Sequence, residues 1–180
     1  MTTDEFITVL EKAVQAEYPQ ITMHKADVNK IYFEKRVRMN CFYCRHYNSN
    51  WKCPPRIPDI DYKSMMQEYD NAAYVKIELP FTDDDFQEIR AKTTNDLHKA
   101  MLLLEKELYN MNCSMAISFI GGSCKLCKNG CGAERCNNPY IARIPLEATG
   151  VNVVKSALES GIEIVFPPKD TLLRVGLLLW

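Results

Sequence analysis

An α/β domain, with α+β as its alternative, is the fold this 180-residue chain predicts, and three observations carry that prediction. Residues 72–79 (AAYVKIEL) read as a strand. From 82 to 111, Phe86, Ile89, Leu97, Met101, Leu104, Leu108 and Met111 recur at helical spacing, which marks one long amphipathic helix. Residues 114–120 (SMAISFI) then read as a second strand. Strand, long helix, strand is a crossover unit, so the two strands are expected to be parallel and the crossover right-handed. The expectation is a single domain over 1–180 with a small mixed sheet, partly parallel, and two cysteine-rich loops, 41–55 and 121–139, at one edge of it.

The remaining elements follow in chain order. Thr3 can cap a first helix in which Phe6, Val9, Leu10 and Ala13 share a face and which ends near Pro19. Residues 21–34 alternate poorly, so a strand there is expected to be marginal. Asp61 to Tyr69 reads as a short helix presenting Met65, Met66 and Tyr69, and Thr82 followed by Asp85 resembles a capping box for the long helix. A helix from Glu147 to Ser160 should end at Gly161, followed by apolar strands at Ile162–Phe166 and Leu172–Leu179. That leucine run is far too short to span a bilayer. The N-terminus carries acids where a signal peptide carries a basic flank, so a cytosolic compartment with reduced thiols is expected. With 47% hydrophobic residues there is enough apolar chain for one core, so the cysteines need not hold the fold alone.

Eight cysteines are present and seven fall in two clumps: Cys41, Cys44 and Cys53 in CFYCRHYNSNWKCPP, and Cys124, Cys127, Cys131 and Cys136 in CKLCKNGCGAERC. Thiolates this crowded can converge on a soft metal centre. A disulfide framework would waste them, because a bridge needs Cα atoms roughly 4.4 to 6.8 Å apart and stabilises most by closing long loops. Zinc closes at four ligands, so seven clustered thiolates leave three over, and the two CxxC pairs lie much farther apart than the zinc-ribbon spacing of about 15 to 20 residues. Iron and sulfide account for them better. The second clump can supply all four thiolates of a 4Fe-4S cube, while the first supplies three, so a noncysteine group completes that site or one iron is open. A different partition remains open, because Cys53 precedes Pro54 and Cys136 lies shortly before Pro139, a context in which a cysteine can cross to the other cluster. Zinc is the alternative cofactor.

Around the clumps stand Arg45, Lys52, Arg56, Lys125, Lys128 and Arg135 against one acid, Glu134, which suits an anionic centre and equally suits an ordinary solvated surface. Phe42, Tyr43, Tyr47 and Trp51 can shield such a centre from water or stack bases, but a net charge of -1 argues against a nucleic-acid partner. Gly121 and Gly122 follow a strand directly, where backbone can approach a bulky inorganic ligand. His46 is close enough to Cys44 to offer a fourth ligand. Cys113, at a strand start, and His98, beside core positions of the long helix, read as structural. Glu147 reads as the cap of the helix it opens, or as a base near the second clump.

The segments CFYCRHYNSNWKCPP and GGSCKLCKNGCGAERCNNPYIARIPLEATGVNVVKSALESG resemble the two signatures of the predicted metal-binding family DUF2284. The matching positions are Cys41, Cys44, Tyr47, Trp51, Cys53, Pro54 and Pro55, then the four later cysteines, Pro139, Glu147, Ala148, Gly150, Val151 and Val153. Asn48 departs from the pattern, since members usually carry glycine after the tyrosine. The resemblance implies metal binding and anaerobic habitats, without a reaction. Two function classes result. One is an iron-sulfur protein whose closed cluster transfers electrons to or from a redox partner protein while a three-cysteine cluster binds or activates a small-molecule substrate. The other is a noncatalytic electron carrier or zinc-stabilised scaffold for a protein or RNA partner.

Overall fold

The computed structural model describes residues 1–180. At its centre is a four-stranded sheet of order β1-β2-β4-β3, formed by β1 (Ile21–Ala26), β2 (Ala72–Pro80), β3 (Ile117–Phe119) and β4 (Thr171–Leu179). Every neighbouring pair is antiparallel. The strands flanking the long helix α4 (Phe86–Asn110) do run in the same direction, but they never pair with each other, because β4 lies between them. The crossover is therefore a split β-α-β unit, and the partly parallel sheet expected from sequence is corrected to an antiparallel one. Only the isolated bridge between Ile120 and Pro145 is parallel. The cause lies in the last strand. β4 pairs along the whole of β2, whereas β3 is three residues long and offers a far shorter ladder.

Alternation along β4 serves a core on each face of the sheet. Leu177 and Leu179 face Tyr74, Phe119, Leu146 and Ala157, together with Tyr62 and Met66 of the short helix α3 (Tyr62–Met66). Leu178 faces the other way, onto Leu10 and Val14 of the first helix α1 (Thr3–Gln15) and onto Leu97, Met101, Leu104 and Leu108 of α4. Each of these α4 side chains is fully buried and is worth about 1.5–3 kcal/mol relative to exposure, so the long helix is held by one continuous apolar stripe. Cys124, from the second cysteine loop, packs against this second core.

Several sequence expectations shift by a turn or less. Thr2 caps α1, in a complete capping box with Glu5, and the helix buries Leu10 and Val14 while Val9 is exposed. The marginal strand is a regular edge strand, β1. Asp61 caps α3 by accepting from the amides of Lys63 and Ser64. The Asp85 carboxylate does accept from the Thr82 amide at 2.6 Å, yet α4 begins only at Phe86. The expected helix from Glu147 is split. A 3-10 turn at Leu146–Thr149 ends at Gly150, whose φ of 97° is left-handed, and Asn152 then caps α5 (Val153–Leu158). Residues 162–166 form no strand, and β4 already has a partner on each side, so pairing of 162–166 with the strand that follows is not available. A helix not foreseen, α2 (Lys35–Phe42), delivers Cys41 on its last turn. No helix is long and apolar enough to cross a membrane.

Candidate metal centre

The two cysteine loops, far apart in sequence, lie against each other at the carboxyl end of β3. Three side-chain contacts join them. Asn50 donates from Nδ2 to the Cys124 carbonyl at 3.1 Å, Trp51 donates from Nε1 to the Gly132 carbonyl at 2.7 Å, and His46 Nε2 lies 3.2 Å from Ser123 Oγ. Asn50 is buried and also accepts from the Lys52 amide, so it works in both directions. Arg56 stacks over the Trp51 ring at 4.4 Å and donates to Asn48 Oδ1. Phe42 contacts Tyr43 and Tyr47 edge to face; Phe42 and Tyr43 are exposed, while Tyr47 is half-buried and lines the three-cysteine cavity.

Asn48 explains its own departure from the family pattern. Its φ is 52°, in the left-handed region that glycine enters freely and asparagine enters more readily than other residues, and its amide donates to the Pro54 carbonyl at 2.9 Å. Glycine and asparagine both suit this backbone conformation, and asparagine adds the acceptor for Arg56.

The thiols separate into two cavities. One, of about 390 Å³, is lined by Cys41, Cys44 and Cys53 with Arg45, Arg90, Lys125, Glu147 and Arg174. The other, of about 450 Å³, is lined by Cys124, Cys127, Cys131 and Cys136 with Lys52, Lys125 and Lys128. His46 lines both. Nowhere do three or more Cys, His, Asp or Glu side chains converge closely enough to hold a single ion. In the second cavity the side-chain amides of Asn138 and Asn137 approach Cys127 Sγ at 3.2 and 3.8 Å. Burial, and then the neighbouring thiols Cys41, Cys44, Cys124 and Cys131, push the Cys53 thiol up to about 12, which sets it between the two groups. Burial likewise raises Cys124, with the Leu126 amide opposing. A desolvated thiol with thiols around it stays protonated until a cation arrives, and metal binding then releases its proton.

Glu147 is the residue the sequence placed least well. It stands beside the first cysteine group rather than the second, its Oε2 is sealed from solvent although the residue as a whole is only partly buried, and that oxygen has no hydrogen-bond partner. Burial raises its carboxyl, while the backbone amides of Glu147 itself and Gly122 and the Arg174 guanidinium pull the other way. Cys113 lies before β3, at the other end of that strand from the loops, and packs against the α1–α4 core, as expected. His98 is also structural, with Nε2 2.8 Å from the Ile141 carbonyl. At Gly121 a Cβ would lie 2.6 Å from the Val175 carbonyl oxygen, so glycine there is required by the close approach of β4. Gly122, at φ 80°, lines the three-cysteine cavity.

Arg90 and Arg174 were missed altogether. They come from α4 and β4, outside both clumps, and converge on the three-cysteine cavity. A signal for Arg174 existed, since it is the one charge inside the apolar stretch LLRVGLLLW.

The family model described as predicted metal-binding protein (DUF2284) matches residues 24–180, and the chain belongs to that family. Neither the curated proteins nor the solved structures contain a match to the chain.

Proposed function

We propose that this member of the predicted metal-binding family is an iron-sulfur protein with two 4Fe-4S clusters, one closed by Cys124, Cys127, Cys131 and Cys136 and one held by Cys41, Cys44 and Cys53 with a weakly held fourth position. The observation that carries the reading is the division of seven thiols into a four-cysteine and a three-cysteine cavity. A zinc site closes at four ligands about one point, whereas a cube gives each thiolate its own iron, so seven thiols lining two cavities suit the larger groups.

The residues present also fit such a group chemically. Asn137 and Asn138 offer N–H donors to Cys127 sulfur, the kind of contact that tunes a cluster's potential. Arg45, Lys125, Arg90 and Arg174 offset the negative charge of a thiolate-ligated centre. The orphaned Oε2 of Glu147 supplies an oxygen donor on the three-cysteine side, where no fourth cysteine exists. When bound, the closed cluster supplies one-electron transfer and the three-cysteine cluster supplies a redox or Lewis-acid iron. Glu147 then holds or moves a proton beside that position, while Trp51 and Asn50 keep the two loops, and so the two centres, at a fixed separation.

The test uses protein isolated anaerobically. Addition of cyanide or a small thiol should perturb the electron paramagnetic resonance signal of one reduced cluster and leave the other unchanged. Glu147→Gln should alter that same responsive signal alone. A response from both clusters or from neither would contradict the assignment.

A further inference from the structure

The cavity lined by the three cysteines is not the largest in the molecule. A cleft of about 970 Å³ adjoins it, and the two share Arg90, Gly122, Glu147 and Arg174 in their walls. Away from this junction an apolar stretch of wall, with Val151, Val154, Ile164, Val165 and Leu173, is rimmed by charged and polar side chains such as Arg36, Asn40, Asn152 and Lys169. Neither junction arginine is in an ion pair. Of the acids of the same cleft, Glu34 pairs with Arg36, Glu78 pairs with Lys76, and Glu163 and Asp170 are exposed, which leaves the sealed Glu147 as the one acid at the junction, close enough to Arg174 to favour its charge without an ion pair. Arg174 is positioned by its Nε donating to Thr93 Oγ1 at 3.0 Å, with Nη2 3.4 Å from the Arg90 carbonyl. Burial and then the Arg90 guanidinium work against its charge and Glu147 works for it, and an anion between the two guanidiniums would offset their mutual repulsion.

Two unpaired guanidiniums at the neck of an apolar-walled cleft select for a molecule with both properties, because a guanidinium fork grips a carboxylate or phosphate in two hydrogen bonds and the walls reward an apolar body. We infer that the cleft binds a small organic oxyanion, an apolar body ending in a carboxylate or phosphate, with its head on Arg90 and Arg174 and directed at the three-cysteine cavity. This rests on the function proposed above, of which it names the substrate class.

Titration calorimetry on the anaerobically isolated full chain, at fixed ionic strength, tests it with four probes: octanoate, octyl phosphate, 1-octanol and inorganic phosphate. At least one of the two amphiphilic anions should bind saturably at one site, about tenfold or more tighter than octanol or inorganic phosphate, since a charge-assisted hydrogen bond contributes on that scale. Which of the two binds tighter identifies the head group. Arg90, exposed on α4, can be changed without touching the core. Arg90→Gln should weaken the anionic probe about tenfold and leave octanol unaffected, and Val154→Asp, on the cleft wall, should weaken the same probe by repulsion. Failure of both anions to bind, equal affinity for octanol, or indifference to both substitutions would overturn the inference. Heat of binding does not depend on iron. Saturable binding to protein without clusters would therefore sink the iron-sulfur reading alone, and clusters without binding would sink the inference alone.

Discussion

The two cysteine loops are furnished in different ways. The second takes all four thiols from one short stretch and adds its own amide donors, while His46, Ser49, Asn50 and Lys52 of the first loop close one side of its cavity. The first takes three thiols from the end of α2 and its following turn and borrows the rest of its cavity from elsewhere, with Arg90 from α4, Arg174 from β4, Lys125 from the other loop and Glu147 from the turn before α5. The loop that supplies all four of its thiols suits a centre that only exchanges electrons. The borrowed cavity, opening beside the cleft of about 970 Å³, suits one that meets a substrate.

The contrast breaks most visibly at the cysteines themselves. Serine at Cys124 or Cys131 should remove about half of the bound iron and spare the cyanide-sensitive signal, while serine at Cys41 or Cys44 should remove the other half with that signal, as four irons per cube require. Cys113→Ser should lose none. Iron analysis with paramagnetic resonance of each variant checks this, and a single variant that abolished all iron would mean that the two loops share one centre.

Next in size is the seam between them. Asn50→Ala removes a buried donor to Cys124 and an acceptor for Lys52, and leaving those groups unpaired should cost about 1–3 kcal/mol. Thermal denaturation would record it; a neutral result would show that the loops do not depend on each other. Asn138→Ala should shift the reduction potential of the four-cysteine cluster and leave the cyanide response of the other untouched, a difference that potentiometry resolves. The smallest effects belong to Asn48. Glycine there should be nearly neutral, and valine should destabilise by about 1–2 kcal/mol, because a left-handed φ crowds a branched Cβ against the carbonyl.

How much of this could be read from the chain depended on how local each signal was. The α4 stripe, β2, β4 and the seven clustered cysteines announce themselves by spacing within a few turns, and the structure keeps each element where it was expected. The order of the strands did not, because the insertion of β4 between β2 and β3 is a contest between ladders separated by much of the sequence. Gly150 divided a helix that periodicity alone would have continued. The site shows the same division. The cysteines, Trp51 and His46 lie within the motifs, whereas Arg90, Arg174 and the true neighbours of Glu147 come together only when the helix, the last strand and the loop after β3 pack.

The central claim is that these seven thiols hold two polynuclear centres and not a single ion. Iron, acid-labile sulfide and zinc measured on one anaerobic preparation, with Mössbauer spectroscopy of iron-57-enriched protein, test it most directly. The account predicts about eight irons and a matching amount of sulfide per chain, with one iron in about eight distinguishable from the rest by its noncysteinyl ligand. Stoichiometric zinc in colourless protein, or about four irons in one kind of cube, would contradict it.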